Sequence, residues 1–169
     1  MGKIYMKYRE LIKREMEKYD DKTIFIGYNT KYAHKGYGTL SDIPKSRIIE
    51  TPCAENLMMG LAIGMAMEGF KPVVFFERHD FMLNALDQIV NHLDKYFNYP
   101  VAIRGIIGSR LPINPGIQHT QNFTKAFKEM IKFPIFIIKR KEDIEMAYRK
   151  AKKLKTPYMI IEHRSMYDA

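Results

Sequence analysis

The chain has one cysteine, Cys53, so an internal disulfide framework is excluded and a reducing cytoplasm is the expected setting. With no histidine beside it in sequence, Cys53 reads as a buried, inert thiol. No apolar run approaches the roughly 20 residues that a membrane span needs. The first residues, MGKIYMKY, lack the apolar stretch of a signal peptide, and Gly2 lacks the flanking Ser or Thr of a lipidation site. The familiar nucleotide motifs are missing too. No Gly-x-Gly-x-x-Gly follows the first strand-like run, and no Gly-x-x-x-x-Gly-Lys-Ser/Thr occurs. A Gly-x-Ser-x-Gly elbow is absent. The histidines, at 34, 79, 92, 119 and 163, do not stand at metal-ligand spacing, so no metal site is expected on this chain. Neither repeats nor low-complexity linkers interrupt it.

What is present suits one globular domain over 1–169: 46% apolar and 28% charged residues in 169. The formal net charge of +9 raises nucleic-acid binding, but the basic segments lack interleaved aromatics. A solvated surface, or one facing an acidic partner or a phosphorylated ligand, is the better reading.

Ile4, Tyr8, Leu11, Ile12 and Met16 recur at helical spacing. Strand-like runs cover 23–28, 47–50, 71–76, 101–107, 135–138 and 158–162. Between them, 54–68 reads as a helix apolar on every side, buried all round and closed by Gly69. Its interior glycines, Gly60 and Gly64, each cost about 1 kcal/mol against alanine, which close approach of another backbone would offset. Leu86, Ile89, Val90, Leu93 and Phe97 mark the next helix. Shorter ones are expected over 123–131 and 144–154. Such alternation predicts an α/β fold, a three-layer sandwich around a mainly parallel sheet. In these folds ligands gather at the carboxyl ends of strands. That directs attention to Asn29, to 52–55, to 77–81 and to the glycine- and proline-containing loop 108–121.

Glu55 stands at the mouth of the apolar helix. Its position alone fits an exposed glutamate favoured by the helix dipole. It also fits a functional acid whose pKa burial has raised.

The run 51–69, TPCAENLMMGLAIGMAMEG, resembles the pyrimidine-binding domain of transketolase-like thiamine-diphosphate enzymes. It is most similar to the beta subunit of the decarboxylase component of 2-oxo-acid dehydrogenases. KPVV at 71–74, DQIVN at 87–91, HTQ at 119–121 and PYMIIE at 157–162 follow in the order seen in that family. The resemblance implies the thiamine-diphosphate-binding fold and a specific chemistry. The cofactor becomes reactive when a glutamate bonded to its aminopyrimidine ring drives that ring to the imino form, and Glu55 matches that glutamate. Phe81 lies where the family often sets an aromatic ring against the pyrimidine. His119 matches a histidine that meets substrate and moves protons, and Gln121 would help orient its loop. Arg78, His79, Arg110 and Asn114 are weaker candidates for contact with an anionic substrate.

The resemblance covers only half of such an active site. No Gly-Asp-Gly with a downstream asparagine is found, so diphosphate and Mg2+ are expected on a separate partner subunit, in a two-plus-two assembly sharing the cofactor. A carboxyl-terminal transketolase-type domain is also missing from the sequence. On that ground a ketose-cleaving transfer of transketolase type is preferred, with a 2-oxo-acid dehydrogenase or decarboxylase beta-type subunit as the alternative. The rival class is a non-catalytic structural or regulatory paralogue, against which the retention of Glu55, Phe81 and His119 argues.

Overall fold

The computed structural model describes residues 6–95, 98–111 and 113–167. Ile4 and Phe97, placed above on helix faces, lie outside the described residues. Six strands form one sheet: β1 (Thr23–Gly27), β2 (Ile48–Glu50), β3 (Lys71–Phe76), β4 (Ala102–Ile107), β5 (Ile135–Ile137) and β6 (Tyr158–His163). Their order is β2-β1-β3-β4-β6-β5, and every pairing is parallel. Parallel neighbours need crossovers, and these pass over both faces, which is why the strands are mostly apolar instead of alternating.

The side chains divide cleanly between the two faces. Ile26, Val74, Phe76, Ile103 and Ile161 point toward α2 (Glu55–Met67) and the helical segment 80–94, where Met58, Ala62, Met82 and Ile89 meet them. α3 (Thr124–Met130) adds Phe127 to the same layer. On the other face Phe25, Val73, Phe75 and Ile160 receive Tyr8, Ile12 and Met16 of α1 (Tyr8–Glu17), with Ile144 and Tyr148 of α4 (Ile144–Ala151). The result is the expected three-layer α/β sandwich.

Two helices differ from expectation. The segment after β3 winds as a 3₁₀ stretch (Asp80–Ala85) and then as a π-helix (Asp87–Asp94). The spacing of Leu86, Ile89, Val90 and Leu93 reports only which side is buried, and over two turns either winding supplies that side. α2 is not buried all round. Leu57 and Met67 are each 54% exposed, and Gly64 has nothing within 4 Å of where a Cβ would stand. The small and apolar residues Gly60, Gly64 and Met67 make an outward stripe on this chain. The backbone approach expected to offset the glycines is not made within it.

The sheet centre holds one ion pair. Arg104 on β4 and Glu162 on β6, 1% and 0% exposed, bond in bidentate fashion at 2.9 and 3.1 Å. Tyr148 and Tyr167 donate their hydroxyls to the Glu162 carboxylate. Arg104 also donates to Thr39 Oγ1 at 3.1 Å and lies over the Phe75 ring, 5.1 Å from its centroid. Burial acts to lower the Arg104 pKa, but Glu162, Tyr148 and Tyr167 together outweigh it, and the guanidinium is held well above its usual range.

Candidate functional site

Four loops meet at the carboxyl edge of the sheet. The loop after β1 opens with Tyr28 and Asn29, the latter at φ 54, a left-handed conformation that asparagine tolerates. The Glu50 carboxylate ends β2 and accepts the backbone N–H groups of Asn29, Thr30 and Lys31 at 2.7, 2.9 and 2.6 Å. Glu50 is thereby committed to shaping that loop. The chain then turns through Thr51 and Pro52 into α2, whose first residue is Glu55.

Glu55 is 7% exposed. Asn84 Nδ2, on the 3₁₀ stretch, donates to its Oε2 at 3.3 Å, while Oε1 accepts no hydrogen bond among the described residues. The Tyr28 hydroxyl lies beside Glu55 without a well-formed hydrogen bond to it. Burial first, then the charges of Glu55 and Glu77, push the Tyr28 phenol far above its ordinary range, so it stays protonated.

From Tyr28 the aromatic contacts continue outward. The Phe81 ring sits 6.3 Å from Tyr28 and meets His119 edge-on at 5.3 Å. His119 reaches that position because the loop after β4 folds back tightly: a Cβ on Gly108 would fall 1.7 Å from the His119 carbonyl oxygen, so only glycine fits there. The far end of the loop is tied down by Gln121, whose backbone N–H and Nε2 donate to Asp80 Oδ1 at 3.3 and 3.1 Å. The His119 Nδ1 is buried and has no hydrogen-bond partner among the described residues. Glu55, Phe81 and His119 are thus brought into one row through Tyr28, with Gln121 bonded to Asp80 at the end of the loop.

The weaker candidates are not in that row. His79 is fully buried, and its Nδ1 accepts the Phe123 N–H at 3.1 Å, so it serves the packing beneath α3. Arg78 turns to the loop after β1, bonding the Tyr37 hydroxyl and the Glu77 carbonyl and stacking on the Tyr37 ring. Arg110 is exposed and makes no hydrogen bond or ion pair among the described residues. Asn114 caps a turn by accepting the Gly116 N–H at 3.1 Å. Cys53, read above as a buried thiol, is exposed, because it lies on the turn outside α2 and not beneath it.

Sequence reading missed Tyr28 and Asn84. Tyr28 directly precedes Asn29 at a strand end, a position that could have drawn notice. Asn84 gives no local signal, because its role depends on how the 3₁₀ stretch lies against α2.

Burial, opposed by nearby Asp80, lowers the His79 pKa from 6.5 to about 4. Above pH 6.5 the ring is neutral in both folded and unfolded chains and nothing is lost. As pH falls toward 4, the unfolded chain takes up a proton that the native one refuses, so stability drops by roughly 3 kcal/mol across that window. His79→Asn keeps an acceptor near the Phe123 N–H and should flatten this part of the profile. Urea midpoints at pH 7, 6 and 5 measure it, and parallel profiles for the two proteins would refute the assignment.

A buried carboxylate with one free oxygen, a flat aromatic ring and a histidine with an orphaned nitrogen suit a planar heteroaromatic ligand carrying ring nitrogens. Among the described residues no three His, Cys, Asp or Glu side chains are grouped to hold a metal.

Comparison with known proteins places the chain in a family. Residues 8–168 match the family described as transketolase, pyrimidine binding domain. The pyruvate dehydrogenase E1 component subunit beta of Cyanidium caldarium is 30% identical over 184 aligned positions, covering 98% of this chain and 53% of that protein. Its counterpart from Rickettsia conorii is 28% identical, covering 94% and 51%. The chain thus spans about half the length of the curated relatives it matches. Among solved structures, a split-gene transketolase described as an inactive beta4 tetramer superposes with a TM-score of 0.70 at 18% identity, over 93% of this chain and 50% of the other. With 8–168 matched by that model, nearly the whole of the chain, the chain belongs to the transketolase pyrimidine-binding domain family of thiamine-diphosphate-dependent enzymes.

Proposed function

We propose that this chain is the aminopyrimidine-binding, beta-type subunit of a two-chain thiamine-diphosphate enzyme acting on a 2-oxo acid. The observation that carries the proposal is the buried Glu55 with its free Oε1, set in a row with Phe81 and His119. Thiamine diphosphate, when bound, supplies an acidic ring carbon able to attack a carbonyl. In this reading Glu55 holds or gives a proton at the pyrimidine ring nitrogen. Phe81 offers a flat apolar contact to that ring. His119 exchanges a proton with substrate near the reacting carbonyl. Asp80 and Gln121 keep the His119 loop in register.

The preference for a ketose gives way here. The relatives that align along nearly the whole chain are named as pyruvate dehydrogenase subunits, which favours a 2-oxo acid. Diphosphate and Mg2+ are assigned to a separate partner subunit. The outward stripe of α2, with Gly60 and Gly64 between Leu57 and Met67, suits helix-on-helix contact in a two-plus-two assembly.

The test is purification from the native host with whatever chain accompanies it. The complex is then assayed with thiamine diphosphate, Mg2+ and an artificial electron acceptor against panels of 2-oxo acids and phosphorylated ketoses. Turnover confined to 2-oxo acids supports the proposal. Turnover confined to ketoses replaces it with the transketolase-type reading. An active-site-competent partner with no turnover of either class favours a non-catalytic role.

A further inference from the structure

At the opposite, amino-terminal edge of the sheet lies a second concavity of about 550 Å3, within the size range of small-molecule sites. Its floor is apolar and aromatic: Val73 and Ala102 at the starts of β3 and β4, Leu154 after α4, and Tyr19 with Tyr158, whose hydroxyls bond each other at 3.0 Å. Its walls carry five lysines, Lys18, Lys71, Lys152, Lys153 and Lys155.

Three of these have local explanations. Lys18 and Lys152 follow the last turns of α1 and α4, where a cation is favoured, and both pair with Glu15. Lys71 pairs with Asp20 at 2.5 Å. Lys153 and Lys155 are exposed and have no carboxylate partner among the described residues. Against five cations stand Asp20 on the wall and Glu15 behind it, leaving a net charge of +3 around an apolar floor. Charge held on one side of a concave, low-dielectric wall concentrates ligands of the opposite sign.

We propose that this pocket binds a phosphate-bearing small molecule with a flat apolar body, a nucleotide being the simplest example. Lys153 and Lys155 meet the phosphates, and the body lies over Leu154 and the Tyr19–Tyr158 pair. The site is separate from the Glu55 row and at the other end of the strands, so it stands or falls independently of the function proposed above.

Calorimetric titration of the full chain with ATP, and separately with inorganic phosphate, tests it. Saturable one-to-one binding of ATP is expected. It should be weakened at least tenfold by Lys153→Glu with Lys155→Glu, and left within twofold by Lys125→Glu with Lys128→Glu on α3. Both pairs are exposed and change the net charge equally, so equal weakening would show a general response to the +9 charge and overturn the pocket. Absence of saturable binding would also overturn it. Inorganic phosphate binding as tightly as ATP would overturn the role given to the apolar floor, and with it the proposed ligand class.

Discussion

Glu55→Gln is expected to slow proton exchange at the reactive carbon of thiamine diphosphate by a hundredfold or more in the assembled enzyme. The change replaces one oxygen by an amide nitrogen of nearly the same shape. Asn84 can still donate to the remaining oxygen, and the residue keeps its place at the first turn of α2. The variant loses the ability to take or give a proton at the carboxyl group. General acid–base catalysis by a positioned side chain contributes on the order of 10²–10⁴-fold, so the loss falls in that range. Folding should be nearly untouched, because no ion pair involving Glu55 is broken and the side-chain volume is retained. The measurement is exchange of the cofactor's ring proton into deuterated solvent, alongside thermal melting of the isolated chain. Unchanged exchange would remove Glu55 from the chemistry and leave only its helix-terminal role. Slowed exchange with a lowered melting point would point to damaged packing instead.

The largest effect on stability is expected at Arg104. Arg104→Met removes the cation and strands the Glu162 carboxylate with only tyrosine hydroxyls in a site closed to water. Breaking a buried pair from one side costs about 3–5 kcal/mol. For a chain of this length, that corresponds to a fall in melting temperature of roughly 6–20 °C. The double change, Arg104→Met with Glu162→Leu, should recover much of the loss, because an apolar pair carries no uncompensated charge. Urea denaturation of the three proteins decides the matter. A single variant within 1 kcal/mol of wild type would mean that the tyrosines alone satisfy Glu162. A double variant worse than the single one would mean that packing, not charge, dominates the site.

The parts of this structure that were legible from the sequence are those set by local chemistry. A sheet covered on both faces needs mostly apolar strands, so 72–76 and, apart from Arg104, Ala102–Ile107 stand out as apolar runs. Gly69 marks the end of α2 because the chain there needs φ 86. Glu55, Phe81 and His119 were legible through their order along the chain, which a family resemblance reads without knowing the geometry between them. Other features depended on distance in space. Arg104 sits inside an apolar run, and only the register of β4 against β6 reveals its partner. Tyr28 and Asn84 reach Glu55 from separate elements. The outward face of α2 was misread because its small and apolar residues look the same whether a neighbour belongs to the same chain or to another. His79, between Arg78 and Asp80, looked like a polar binding residue, and only its 0% exposure shows that it belongs to the core.

The strand order also governs how the fold comes into being. β6 is the last strand to be synthesised, yet it lies between β4 and β5 and pairs with both. Arg104 therefore leaves the ribosome 58 residues ahead of the glutamate that neutralises it. At about 5–20 residues per second, Arg104 waits roughly 3–12 seconds for its partner, and β5 waits roughly 1–5 seconds for its neighbour. No hairpin can close early, because every strand pair is parallel and needs a crossover. During synthesis the Arg104–Glu162 bond therefore becomes possible only once the sixth strand of the sheet has been made.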